Sequence, residues 1–182
     1  FGVWQDSDNE YEKPYDIDIL LDMIKSPIKN VSVSGVSIVS PTPDIANARI
    51  EFENGSVANL TASRISMKNM RKHRVFQKDA YITIDCLEKK TDIVRINEVE
   101  GTTNPFAMTI DLADGSSKQI TIEQPEVQSI NSIMTELESF HNAIVNDTEP
   151  AVTIHDGVQA LKVCYMILEE LIHIFQLILS FH

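Results

Sequence analysis

The chain has 182 residues and a mass of 20.5 kDa, the size of one ordinary domain. Its 43% hydrophobic and 23% charged residues are typical of a globular protein with a buried core, and they exclude a wholly disordered chain. The 27 acidic and 15 basic residues give a net charge of -12. Proteins that neutralise nucleic-acid phosphates have the opposite balance, so we expect no nucleic-acid partner.

The glycines, cysteines and histidines exclude several kinds of site. The six glycines are too widely spaced for the G-x-G-x-x-G loop of a dinucleotide-binding fold or for a P-loop. Cys86 and Cys164 form neither a disulfide framework nor a paired zinc motif, which favours a reducing, cytoplasmic location. The five histidines lack metal-binding spacing, so we predict no metal site and no cofactor bound by this chain alone.

The two ends of the chain differ in character. Residues 1–14 are acidic and lack periodicity, so we expect an N-terminal tail or linker before a single domain over residues 15–182. They carry no signal-peptide pattern. Residues 163–181 are nearly all apolar, but two glutamates, a histidine and a glutamine interrupt them. We therefore predict a buried helix there and no membrane span.

The first predicted elements are a helix and a strand. Residues 16–25 are predicted to be helical, because their apolar residues form one stripe at helical spacing: Ile17, Leu20, Leu21 and Ile24. Val31 and Val33 then alternate with serines, which predicts a strand. The alternation shifts phase near Gly35, so we expect a bulge there that lets Val36 and Ile38 continue the buried side.

A hairpin is predicted next. Apolar and polar residues alternate over residues 48–53, which indicates a half-buried strand. The Asn-Gly pair at 54–55 is typical of a two-residue hairpin loop. Such a loop would place Phe52 opposite Val57 and Ile50 opposite Asn59.

Five further strands are predicted over residues 70–77, 80–87, 91–97, 106–112 and 118–123, with a turn at Asp114-Gly115. Two helices follow, one beginning near Pro125 and one at a capping box of Thr153 and Asp156. This order predicts an α+β fold: a single, mostly antiparallel, open β-sheet with helices packed on one face. The other face has to be solvated or covered by another subunit, so we expect a homodimer through the open face.

The basic residues are clustered. Six of them fall within residues 64–78, a window without any acidic residue: Arg64, Lys68, Arg71, Lys72, Arg74 and Lys78. Their field could hold a phosphate or diphosphate, and arginine adds bidentate geometry. The alternative is a strand and turn whose charges pair with nearby carboxylates.

Three stretches of sequence resemble the C-terminal domain of the Gfo/Idh/MocA-type oxidoreductases. They lie within residues 15–170 and include the motifs NARIEFENGSVANLTASR and RVFQKDAY. Within the family the chain looks most similar to bacterial members acting on nucleotide-linked sugars, such as UDP-N-acetylglucosamine 3-dehydrogenases. The resemblance implies a two-domain enzyme in which an N-terminal Rossmann domain binds NAD(P). The C-terminal domain then supplies the substrate-facing wall, and its open sheet commonly forms the subunit interface.

The chain departs from the family pattern where catalysis is concerned. The family's catalytic lysine lies in an E-K-P motif at the end of the Rossmann domain. Glu12-Lys13-Pro14 repeats these letters directly before the first helix with no such domain before it, which favours chance or a deletion scar. The family also has D-x-x-x-H-D-x-D entering this helix. Tyr11 and Tyr15 replace the first Asp and the His, and only Asp16 and Asp18 match.

Without that imidazole no group is poised near neutral pH to accept a proton from a sugar hydroxyl. We therefore expect a stand-alone or truncated C-terminal domain that is not catalytic by itself. Its candidate substrate-binding residues, facing an anionic sugar nucleotide, are Arg64, Arg71, Lys72, Arg74 and Asp16. Two alternatives stay open: a structural or oligomerisation module without a ligand, and one half of a split dehydrogenase with a separate Rossmann polypeptide.

Overall fold

A computed structural model describes residues 2–7, 13–98, 108–111, 117–128 and 130–180. The first half of the described chain contains one helix among six strands: β1 (Gly2–Ser7), α1 (Lys13–Met23), β2 (Ile28–Val36), β3 (Ile45–Phe52), β4 (Val57–Ser63), β5 (Arg71–Phe76) and β6 (Ala80–Asp85). Three strands and two helices follow: β7 (Lys90–Glu98), β8 (Met108–Asp111), β9 (Ser117–Glu123), α2 (Ser132–Val145) and α3 (Ile154–Ser180). The strands predicted over residues 70–97 and 118–123 are confirmed, and the one predicted over 106–112 is observed as Met108–Asp111. The rest of that strand and the turn predicted at Asp114-Gly115 lie outside the described residues.

The strands form one sheet in the order β2-β3-β4-β1-β5-β6-β7-β9-β8. Among the described pairs, β1–β4 is parallel and the others are antiparallel. Helices α1 and α3 pack on one face, which we call the covered face. The predicted α+β fold, with one mostly antiparallel open sheet, is confirmed.

Strand β1 differs from the tail or linker expected for residues 1–14. Gly2 lies beside Val57 of β4 and Phe76 of β5, so β1 sits in the middle of the sheet. Helix α1 also begins within the expected tail, at Lys13. The sequence of β1 has no strand pattern of its own. Its strand conformation comes from pairing with β4 and β5, which lie far along the chain, so it could not be predicted from the local sequence.

The predicted register of the β3–β4 hairpin is wrong by one residue. Ile50 pairs with Ala58, and the backbone nitrogen of Phe52 donates to the carbonyl of Ser56 at 2.9 Å. The loop therefore has three residues and ends at Gly55, whose φ of 83° is the left-handed conformation that glycine adopts without strain. A type I turn followed by such a residue is the usual three-residue hairpin. This register puts Ile50, Phe52 and Ala58 on the covered face.

The bulge expected near Gly35 is also absent from the described β2–β3 pairing. The register is regular from Asn30 to Val36 and shifts only between Ile28 and Asn30. Gly35 therefore takes an inward position in the alternation, and Val36 and Ile38 are exposed. The bulge prediction was wrong because Gly35 lies within a regular strand, where a glycine does not require a bulge.

The core lies between the covered face and helices α1 and α3. The predicted stripe on α1 is confirmed, since Ile17, Leu20 and Ile24 are buried against the sheet. Ile50 and Phe52 supply the sheet side and are the largest side chains there with almost no exposure. Burying each such side chain contributes about 1.5–3 kcal/mol, so this stripe fixes where α1 lies on the sheet.

The two C-terminal helices begin at capping residues. Helix α2 begins at Ser132 rather than near Pro125, because the Asn131 side chain caps it by accepting from the backbone nitrogen of Met134 at 3.2 Å. The capping box of α3 is confirmed. The backbone nitrogen of Thr153 donates to Asp156 Oδ2 at 2.8 Å, and the Asp156 nitrogen donates to Thr153 Oγ1 at 3.2 Å.

Helix α3 is buried on one side only. Ala160, Val163 and Leu171 are buried, whereas Tyr165 and Leu168 are exposed. The predicted buried helix is therefore correct for one side of α3 and wrong for the other. Within the part of the chain that is described, no helix is both long and apolar enough to cross a bilayer.

Candidate functional site

The predicted basic cluster is divided by the alternation of β5. His73 and Val75 are buried and point to the covered face, and Arg71 shares their phase. Lys72 and Arg74 occupy the alternate positions and point to the open face. One bound anion therefore cannot meet both pairs.

Asp16 and Arg71 do come together, at the start of α1. Arg71 Nη2 lies 3.5 Å from Asp16 Oδ1, and Asp16 is 4% exposed. His73 Nε2 lies 3.9 Å from the same carboxylate oxygen, and His73 is 3% exposed. We call Asp16, Arg71 and His73 the α1–β5 cluster. It joins a buried carboxylate, a partly exposed guanidinium and a buried imidazole.

His73 is the member of this cluster that the sequence prediction missed. Burial lowers the pKa of its imidazole, and the positive charge of Arg71 lowers it further. Among the described residues, neither ring nitrogen has a hydrogen-bond partner. The available signal was strand phase: His73 stands two residues before Val75, and residues two apart share a face. The cluster therefore places a neutral imidazole beside Asp16.

Asp44 lies at the end of the loop between β2 and β3 and is fully covered. Its Oδ2 atom accepts from the backbone nitrogens of Ile38 at 2.6 Å and Val39 at 2.7 Å. Its Oδ1 atom accepts from Arg64 Nε at 2.9 Å. The two backbone donors, followed by Arg64, hold the pKa of this carboxyl well below its usual range. The Asp44 carboxylate thus holds the loop together through these hydrogen bonds.

Arg64 is hydrogen-bonded within this loop. Its Nη2 atom donates to Thr42 Oγ1 at 2.6 Å and to the Thr42 carbonyl at 3.1 Å, and it also donates to Ser40 Oγ. Together with the bond to Asp44, these contacts direct the guanidinium into its own loop. These hydrogen bonds of Arg64 thus stabilise the loop and include no member of the α1–β5 cluster.

The two remaining candidates lie on the open face. Lys72 Nζ is 2.9 Å from Asp85 Oδ2. The backbone nitrogen of Glu88, with Lys72 as a further contributor, lowers the pKa of Asp85. Arg74 lies between Trp4 and Thr83 in the strand register. Three of the candidate cations thus pair with carboxylates, which is the alternative that the charge pattern left open.

The open face itself has an apolar half, formed by β5 to β9. The rings of Phe76 and Tyr81 stack with centroids 4.7 Å apart. Beyond them lies a set of large apolar side chains that are 39% to 65% exposed: Ile96, Met108, Ile110 and Ile122. We call these six residues the apolar patch. A contiguous exposed surface of this kind is typical of a protein interface.

The described residues do not fit a dinucleotide. A dinucleotide site needs glycines in a strand-to-helix turn that lets the backbone approach the diphosphate. Gly55 lies in a strand-to-strand hairpin and Gly157 lies within α3. Within the described ranges, no three histidine, cysteine or acidic side chains gather as a metal site.

Comparison with known proteins gives a consistent result. Residues 4–170 match the family described as "Oxidoreductase family, C-terminal alpha/beta domain". UDP-N-acetylglucosamine 3-dehydrogenase from Acidithiobacillus ferrooxidans is 34% identical over 79 residues, which are 43% of this chain and 25% of that protein. A structure of that dehydrogenase superposes with a TM-score of 0.78 at 21% identity, over 96% of this chain and 56% of that chain.

A levoglucosan dehydrogenase solved in complex with NADH has the same fold, with a TM-score of 0.63 at 14% identity over 94% of this chain and 56% of that one. The chain thus spans little more than half the length of these relatives. The family match covers most of the chain, and the fold agrees with it. The chain belongs to the Gfo/Idh/MocA oxidoreductase family and matches its C-terminal alpha/beta domain.

Proposed function

We propose that this chain is the substrate-side and self-associating domain of an NAD(P)-dependent oxidoreductase acting on a nucleotide-linked sugar, and that it is not catalytic by itself. The observation that carries the proposal is the two-sided sheet. One face is covered by α1 and α3, whereas the other bears the apolar patch. Pairing two open faces would bury that patch and leave the α1–β5 cluster on the opposite side of the sheet.

The substrate class is argued from the cluster and from the relatives. Arg71 is partly exposed beside Asp16, so its guanidinium is the candidate cation for a phosphate of the substrate. The related Acidithiobacillus protein is named for a UDP-linked sugar. Lys72 and Arg74, on the open face, belong to the subunit interface in this proposal and do not contact the substrate.

Hydride transfer requires a nicotinamide held against the substrate. Because the described residues do not fit a dinucleotide, the proposal assigns NAD(P) to a separate Rossmann domain or polypeptide. The cluster can hold a substrate group and fix its orientation, but it cannot accept a hydride. A chain that binds no ligand and only self-associates would instead be a structural module.

The self-association is tested with two neighbouring substitutions on β8. Ile110→Asp places a charge in the apolar patch, whereas Thr109→Asp places the same charge on the opposite side of the strand. Light scattering after size exclusion should show loss of the sheet-mediated assembly for Ile110→Asp and an unchanged mass for Thr109→Asp. Equal masses for both variants and the wild type would refute pairing through the open face.

The substrate class is tested by calorimetric titration with UDP-N-acetylglucosamine and, separately, NADH. We expect the sugar nucleotide to bind and NADH not to bind. Arg71→Gln should weaken sugar-nucleotide binding at least tenfold, and Arg74→Gln, on the opposite face, should change it less than twofold. Absence of sugar-nucleotide binding would favour the structural module, and NADH binding would contradict the argument from the glycines.

A further inference from the structure

Helices α2 and α3 each expose an apolar seam. On α2 the seam follows the spacing 4-3-4 and consists of four residues that are 57% to 71% exposed: Ile133, Leu137, Phe140 and Ile144. Among the described elements, α2 makes no substantial contact with another helix or with a strand, and Ala143 is its buried residue. An amphipathic helix of 14 residues is marginal in water without a partner for its apolar side.

Helix α3 carries a matching seam on the side away from the core. It follows the spacing 4-3-4-3-4 and consists of six residues that are 43% to 89% exposed: Ile154, Val158, Leu161, Tyr165, Leu168 and Ile172. The core-facing residues Ala160, Val163 and Leu171 occupy other positions of the helix. The seam is therefore separate from the surface that α3 uses to pack on α1 and β2.

The spacing of both seams is the alternation of three and four residues that two paired helices require. On α2 the seam is the centre of a wider apolar face, because Met134 and Val145 beside it are also exposed. No charged residue stands within either seam. Each seam thus suits a helix as its partner, and the same chain carries both. They do not pack on each other within the chain, since α2 and α3 make no substantial contact among the described residues.

We propose that α2 of one copy packs along α3 of a second copy, and that the second copy returns the same contact. Such a reciprocal exchange buries both seams of both chains. It forms a closed pair of copies related by two-fold symmetry. Each copy would bury ten large apolar side chains, on the order of 1,000 Å² per copy, which exceeds the roughly 800 Å² per partner of a standard interface. This interface lies on the covered side of the sheet and is independent of the open-face pairing proposed above.

The experiment separates the two interfaces. With both in place, light scattering should give particles of more than two copies for the wild type and two copies for the Ile110→Asp chain, which retains the helix exchange. In the Ile110→Asp chain, adding Leu137→Glu on α2 or Leu161→Glu on α3 should give single copies. The matched controls Ser139→Glu and His173→Glu, on other exposed sides of the same helices, should keep two copies. Circular dichroism and thermal unfolding establish that every variant is folded.

Mixing the two single-copy variants provides the decisive result. A pair of one Leu137→Glu chain and one Leu161→Glu chain contains one helix contact with both substitutions and one with neither. The mixture should therefore recover two-copy particles, at a reduced affinity, whatever the exact register of the helices. If the Ile110→Asp chain is a single copy, the exchange is overturned. The seams would then bind another partner, such as a dinucleotide-binding domain. Persistence of two copies in the Leu161→Glu variant would also overturn it, because α2 would then pair with α2.

Discussion

Each basic residue of β5 is assigned its role by the side of the strand on which it lies. Arg71 and His73 meet Asp16 under α1, whereas Lys72 meets Asp85 on the open face. A charge count along the sequence treats these residues as one positive group. The pleat separates them into two environments, so an anion on either face would meet fewer positive charges than the count suggests.

His73 makes the stability of the fold depend on pH. Because its pKa is lowered in the folded protein from the ordinary 6.5, the unfolded chain binds the proton first as the pH falls. The contribution of His73 is complete above pH 6.5 and is lost progressively below it, down to the folded pKa. Within that window the free energy of unfolding should fall by up to about 1.4 kcal/mol per pH unit.

Urea unfolding between pH 7.5 and 5 measures this slope. His73→Phe removes the titrating group and should flatten the profile, whereas the matched substitution of an exposed histidine, His141→Phe, should leave it unchanged. The low pKa values of Asp44 and Asp85 cause a separate loss at more acidic pH in every variant. An equally steep profile in His73→Phe would show that His73 is not responsible.

At the scale of the elements, local chemistry was predictable and long-range pairing was not. The stripe of α1 and the capping box of Thr153 and Asp156 lie within a few neighbouring residues, so spacing alone identified them. The hairpin register depended on one glycine, Gly55, whose left-handed conformation fits two loop lengths that differ by one residue. The burial of Ile50 with Ala58 selects between them, and that burial belongs to the folded sheet.

The same distinction explains the candidate site. The resemblance to the family identified Asp16, and the charge pattern identified Arg71. Their contact joins α1 to a strand more than fifty positions away, so spacing could not show it. Spacing could not show the contact of Arg64 either, because its partner Asp44 belongs to the loop before β3 and binds two backbone nitrogens as well. A sequence motif predicts candidate residues, whereas contacts between them can be seen only in the folded structure.

For the whole molecule, β1 is the element on which the continuity of the sheet depends. It pairs with β4 on one side and β5 on the other, and these two strands are joined only through it among the described pairings. The β2–β4 half carries the core residues Ile50 and Phe52, and the β5–β9 half carries the whole apolar patch. Both halves act as one sheet only while β1 is in place.

We therefore expect a proline in β1 to damage the whole fold more than a proline at the sheet edge. Val3→Pro removes a backbone donor from a strand paired on both sides, and the carbonyl left without its donor costs about 1–3 kcal/mol. Thr109→Pro, the control, lies in edge strand β8, which pairs on one side only. Urea unfolding should show the larger loss for Val3→Pro, and hydrogen exchange should rise in both β4 and β5. Unchanged protection of those two strands in Val3→Pro would mean that the halves hold together without β1.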